Sequence, residues 1–290
     1  MVRYDAERVG VAPWMLSGPA LLVFGALLLA PLLLTAVLSL NLFSDSAGVM
    51  PGYSLGNYVE VFRDSYFHEI FLRTGAMALA VTVLCVLLGI PETIIIARMA
   101  PRWRSLFLLV VLGPLLISVV VRTLGWAILL GNNGLINDAL QALGIVDQPV
   151  RMLFTQVGVI IALTHVLVPF MVIAVWATLQ RLDLQVEWAG LSLGASRLTV
   201  FRRIILPQIM PGVLSGSIIV FALAASAFAT PAIIGGRRLK VVATAAYDEF
   251  LGTLNWPLGA AIAMLLLLAN LIIILGCSKL AERRFKQVFE

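Results

Sequence analysis

Uncharged or nearly uncharged runs recur along this chain at 14–40, 70–97, 105–130, 154–179, 212–235 and 257–278. A helix rises about 1.5 Å per residue, so about 20 residues cross a hydrocarbon core roughly 30 Å thick. Backbone polar groups in hydrocarbon must be satisfied within the segment, which favours helices over irregular chain. The expectation is therefore an all-α membrane protein with six transmembrane helices, forming a single domain over 1–290. Composition agrees: 61% of residues are hydrophobic and 12% are charged, against about 25% charged in soluble domains. The first run is about 27 residues, against about 7–15 for a signal peptide's apolar stretch, and reads as a retained helix. Cys85 and Cys277 lie inside apolar runs and read as packing residues, not a disulfide.

The net charge of +5 does not point to nucleic acid, because the basic residues sit in short loops. With the N-terminus inside, the inner segments hold about 13 Lys and Arg, against about 6 outside. Both termini are then expected in the cytoplasm. Ile136, Leu140 and Leu143, followed by Gly144, suggest a short amphipathic helix in one outer loop, and 241–251 suggests another.

The loop between the fourth and fifth runs is polar, basic and about 30 residues long, which is unusual in such a chain. Asp183 is placed to cap a short helix from Leu184 to Leu193. Gly194 is placed to end it in a left-handed turn, where a side chain is expected to clash. Ser196 or Thr199 would cap a second helix, and Pro207 and Pro211 would interrupt the ladder before the fifth span. Helix, turn and helix across the membrane face make an element that can dock in a partner's groove and move with it.

Gly194 is followed after nine residues by Ile204, and then by Leu206-Pro207. Together with Ala189 and Gly190, this resembles the coupling motif of ATP-binding-cassette importer permeases. In that register the family's usual glutamate position holds Trp188, and Glu187 lies one place early. The resemblance implies that the coupling segment, 181–207, docks on an ATPase through Asp183, Glu187, Trp188, Ala189, Gly190, Leu191, Gly194, Ile204, Leu206 and Pro207. Trp188 and Leu191, three residues apart, would be its apolar anchors. Val121–Trp126 with Leu130–Asn137, and Asn255–Ala261, resemble the spermidine/putrescine-type subgroup. Many of its members carry an aspartate where this chain has Asn255.

Candidate pathway residues are Arg122, Thr123, Trp126, Glu92, Asn255 and Trp256. Arg122 would lie about 24 Å along a straight third span, as a pore-lining cation or as a donor to neighbouring carbonyls. Glu92, after Pro91, either snorkels toward Arg98 or Arg104 or contributes to a cation-attracting vestibule. His165 reads as a satisfied packing residue. Gly212 to Gly216 fits a small-residue helix-contact motif.

No Gly-x-x-x-x-Gly-Lys-Ser/Thr loop is present, so ATP hydrolysis is expected on a separate subunit, and this chain is not expected to be an enzyme. The resemblance implies an inner-membrane permease subunit without bound cofactor, with ATP and Mg on a homodimeric ATPase. A second, different permease and an extracytoplasmic solute-binding protein complete the implied assembly. The implied cargo is a polyamine or related amine, with an opine, phosphonate or iron as alternatives. An ion-coupled secondary transporter is the alternative of another class.

Overall fold

The computed structural model describes residues 11–182 and 184–284. In chain order it contains α1 (Val11–Leu38), a hairpin of β1 (Asn41–Ser44) and β2 (Gly48–Tyr53), α2 (Gly56–Arg63) and α3 (Ser65–Ala97). Then come α4 (Pro101–Leu116), α5 (Val119–Leu129), α6 (Leu135–Ala142), α7 (Gln156–Leu179) and α8 (Leu184–Ser192). α9 (Arg197–Val200) continues through a π-helical turn (Phe201–Ile205) into α10 (Leu206–Ala225). A second π-helical turn (Pro231–Gly235), α11 (Val242–Leu251) and α12 (Trp256–Arg284) complete it. Among the described residues, five helices are long and apolar enough to cross a membrane, or six if α4 and α5 form one broken span.

The chain groups into two compact units, residues 11–61 with Ala246–Met264, and Phe62–Ala245 with residues 265–284. In the first, the Asn57 side-chain amide donates to the carbonyls of Ser39 (2.9 Å) and Asn41 (3.0 Å), fastening α2 to the hairpin. Ser39 and Tyr58 hydroxyls meet at 2.6 Å. Gly259 allows α12 to approach α11: a Cβ there would lie 2.8 Å from the Phe250 ring.

The second unit is built on α3, α7 and α10, which pack pairwise. Lipid tails are as apolar as leucine side chains, so no hydrophobic force draws helices together in a membrane. Close approach through small residues supplies the attraction instead. Met171 of α7 shows how. A Cβ on Gly89 of α3 would lie 2.7 Å from its Cγ, and one on Gly216 of α10 would lie 2.8 Å from its Sδ. The Met171 side chain therefore fills the space two glycines leave open. Gly212 likewise admits the backbone of α7, where a Cβ would meet the Ala174 carbonyl oxygen at 2.5 Å. The Gly212–Gly216 motif is thus used within the chain. Buried Thr74, Thr82 and Thr93 on α3 return their hydroxyls to carbonyls four residues back, leaving those donors satisfied away from water.

Three expectations change. The third run is not one helix, because α4 and α5 meet at a 98° bend across Ile117-Ser118. The fifth does not span 212–235: helix begins at Arg197 and stops at Ala225, and the chain turns before Pro231. Nor do Pro207 and Pro211 interrupt it. A proline lacks the N–H of the ladder and crowds the carbonyl four residues back. The wide π turn just before Pro207, closed by Leu206 N–H to the Phe201 carbonyl, accommodates it, and the helix continues.

Overpacking Gly216 with valine should destabilise the protein by about 1–3 kcal/mol, seen as a lower melting temperature in detergent. Because the clash is with Met171, adding Met171→Ala should cost less than the sum of the two single changes. Additive losses would show that the pair is not in contact.

Candidate functional site

The segment after α7 forms a braced helix pair. α8 ends in a Schellman arrangement: Ala195 N–H donates to the Gly190 carbonyl (3.2 Å) and Gly194 N–H to that of Leu191 (3.0 Å). Gly194 sits at φ +83, which glycine adopts without the Cβ penalty. The Ser196 hydroxyl caps α9, accepting from Thr199 N–H at 3.2 Å. Asp183, expected as the cap of α8, lies outside the described residues.

Gly190 brings the two helices together. A Cβ there would lie 2.8 Å from Ile204 Cδ1 and 3.3 Å from Val200 Cγ2. Two residues fourteen places apart in the motif are thus in contact, and the small residue has a steric cause. Ile204, Leu206 and Leu191 pack on the hydrophobic core of the second unit. Leu191 is therefore half-buried against that core. Trp188 (68% exposed), Leu193 (89%) and Leu198 (65%) are the most exposed large apolar side chains of the described segment, with Val186 less so. Ala189 and Pro207 are also exposed.

Glu187 points back into its own protein. Arg98 Nη2, at the end of α3, donates to its Oε1 at 2.8 Å, with the Glu187 side chain 21% exposed. Both line a groove of about 750 Å³ shared with Pro91, Trp188 and Leu191. Arg98 is therefore engaged by Glu187 and not by Glu92, which stands half-buried on α3. Arg104 is engaged elsewhere too: it donates to the Ala97 carbonyl (2.8 Å) and its guanidinium lies 5.7 Å from the Trp176 ring centroid. The snorkelling partners expected for Glu92 are thus otherwise occupied. The sequence carried a signal for Arg104, a cation just past the carbonyl end of α3, but none for the long-range Arg98–Glu187 pair.

Arg122, Thr123 and Trp126 share α5. Arg122 donates to the carbonyl of Pro114, one of the last-turn carbonyls of α4 left without a helical partner when the span breaks. Its depth along a straight helix does not apply, and of its two sequence readings the carbonyl donor is the one observed. It also lines a cleft of about 310 Å³ with Leu115, Leu163, Phe170, Phe228 and Thr230. Thr123 is buried, with its hydroxyl 3.3 Å from that of Thr230. Trp126 Nε1 donates to His165 Nδ1 at 3.2 Å, their rings edge to face, so His165 is satisfied by a partner the sequence did not indicate. In the other unit, Asn255 is the cap of α12, its side-chain oxygen accepting from Leu258 N–H at 3.2 Å. Asparagine and aspartate cap about equally well, so this role tolerates the departure from the subgroup's acid. Trp256 is half exposed at the helix start.

Residues 105–286 match the family described as the binding-protein-dependent transport system inner membrane component. The chain belongs to this family. It is 34% identical over 222 residues to the spermidine/putrescine transport system permease protein PotB of Escherichia coli strain K12, covering 77% of this chain and 80% of that one. It is also 34% identical over 201 residues to the molybdenum transport system permease protein ModB of Mycobacterium bovis, covering 69% and 74%. The fold matches a bacterial alginate ABC transporter solved in complex with an alginate pentasaccharide-bound periplasmic protein, with TM-score 0.73, 19% identity, and coverage of 95% and 97%. This multi-pass inner-membrane protein is an ABC importer permease, and the ion-coupled alternative is set aside.

An added Cβ on Gly194 meets nothing within 4 Å, so the expected clash is replaced by a conformational cost. Gly194→Ala and Gly194→Trp should therefore cost about the same, roughly 1–2 kcal/mol, and Gly194→Asn least. Hydrogen exchange of 184–205 in the three variants measures this, and a loss that grows with side-chain size would restore the clash.

Proposed function

We propose that this permease works as one half of a heterodimeric pathway, with the helix pair α8–α9 docked on a separate homodimeric ATPase that binds ATP and Mg. The observation that carries the reading is the exposed trio Trp188, Leu193 and Leu198 on a braced element. The brace transmits displacement: Gly190 on Ile204 joins α8 to the π-helical turn that leads into α10, and Arg98–Glu187 joins it to the end of α3. When nucleotide closes the ATPase pair, the docked segments follow, and the permeases open outward to receive cargo from a solute-binding protein. Hydrolysis returns them inward. The Lys/Arg bias supports cytoplasmic termini and an ATPase-side position for α8–α9.

A polyamine or related amine is the cargo we favour, supported by the PotB relatives at about a third identity over most of the chain. Uptake of labelled spermidine by cells making the complete complex tests it. Uptake of an opine, a phosphonate, molybdate or iron instead, with no spermidine accumulation, would replace the cargo and leave the permease role intact.

Docking should depend on Trp188 more than on Glu187. Burying an exposed tryptophan in a partner's groove is worth about 2 kcal/mol or more, whereas Glu187 already pairs with Arg98. Trp188→Ala should lower ATPase retention in detergent at least about tenfold, and Glu187→Ala by less. The reverse ranking would mean that Glu187 leaves Arg98 to contact the ATPase.

A further inference from the structure

The ends of α3 and α7 meet Arg104, in the first turn of α4, around a pocket of about 250 Å³. Its charged lining is Arg98, Arg104 and Glu187, with Trp176 and Gln180 beside them. Two guanidinium charges against one carboxylate leave the pocket net positive. Because α3 and α7 are long and apolar enough to span the membrane, their ends lie where hydrocarbon gives way to headgroups and water.

Arg104 is held in place without being saturated. Its Nη2 donates to the carbonyls of Ala97 (2.8 Å) and Met99 (3.4 Å), and Trp176 backs the guanidinium. Its Nε–H is buried and has no acceptor among the described residues, which is costly for a donor out of water. Arg98 donates to Glu187 through Nη2 alone and is 54% exposed. Two rigid guanidinium groups thus border one pocket with donors that the described residues leave unused.

We propose that this pocket binds a phosphate group, as the phosphodiester of a lipid or as free phosphate. Guanidinium forks match phosphate oxygens, and basic pockets between membrane helices suit anionic headgroups. Glu187 holds the excess charge at one, which a phosphodiester neutralises. Ile94 and Leu179 continue the lining as an apolar wall, suited to the acyl end of a lipid. The carbonyl end of α3 would repel an anion, but Arg104 covers the Ala97 and Met99 carbonyls. An occupant shares Arg98 with Glu187 and so lies against the tie that holds α8 to α3.

The test uses the full-length protein in detergent. Native mass spectrometry compares retention of phosphatidylglycerol with that of diacylglycerol, which lacks the phosphate. Thermal unfolding is followed against inorganic phosphate, with ionic strength matched by sodium chloride. Phosphatidylglycerol should be held about tenfold better than diacylglycerol, and Arg104→Gln should abolish the preference. Gln180 is exposed, so its charge can be changed without disturbing packing. Gln180→Glu should weaken phosphate binding about tenfold and Gln180→Arg should strengthen it by a similar factor. These variants decide the matter even if Arg104→Gln does not fold. Stabilisation by inorganic phosphate that follows the same ranking makes free phosphate an occupant, and a lipid preference without it makes the headgroup the occupant. The proposal is overturned if neither probe binds, or if binding is the same in wild type and both Gln180 variants.

Discussion

Everything else in the larger unit hangs on how closely α3 and α10 approach α7. In lipid that approach has no hydrophobic drive, so van der Waals packing decides it. Gly89 and Gly216 leave space on either side of Met171, and Gly212 lets backbone meet backbone. Dispersion is short-ranged, and a gap of an ångström forfeits much of it. The three helices therefore pack as one block.

The helix pair α8–α9 extends the same logic outside the core. Gly190 is small because Ile204 occupies the place of its side chain, and Gly194 is glycine because of its backbone angle, with open space around it. One is a steric requirement and the other a conformational one, although both look alike in sequence. The Arg98–Glu187 pair adds a polar tie to α3. With Arg98 54% exposed, its Coulombic contribution is modest, so its use is to set the orientation of α8 against the end of α3. The broken third span shows a comparable economy, with Arg122 closing the carbonyl end of α4 that the break exposes.

Much was legible in the chain itself. Apolar run length and charge placement determined a helical membrane protein, because hydrocarbon tolerates neither unpaired backbone nor unpaired charge. The spacing from Ala189 to Pro207 determined where a helix pair and its turn would lie, because caps and glycines act through local backbone chemistry. Tertiary structure alone decided what those residues face. The 98° bend between α4 and α5, the continuation of α10 through Pro207, and the end of that helix at Ala225 depend on neighbours that run length does not record. So do the partners of Glu187, Arg104, Trp126 and Arg122, and the half-burial of Leu191. Each depends on contacts between segments far apart in the chain, where periodicity and spacing carry no information about which side chain arrives.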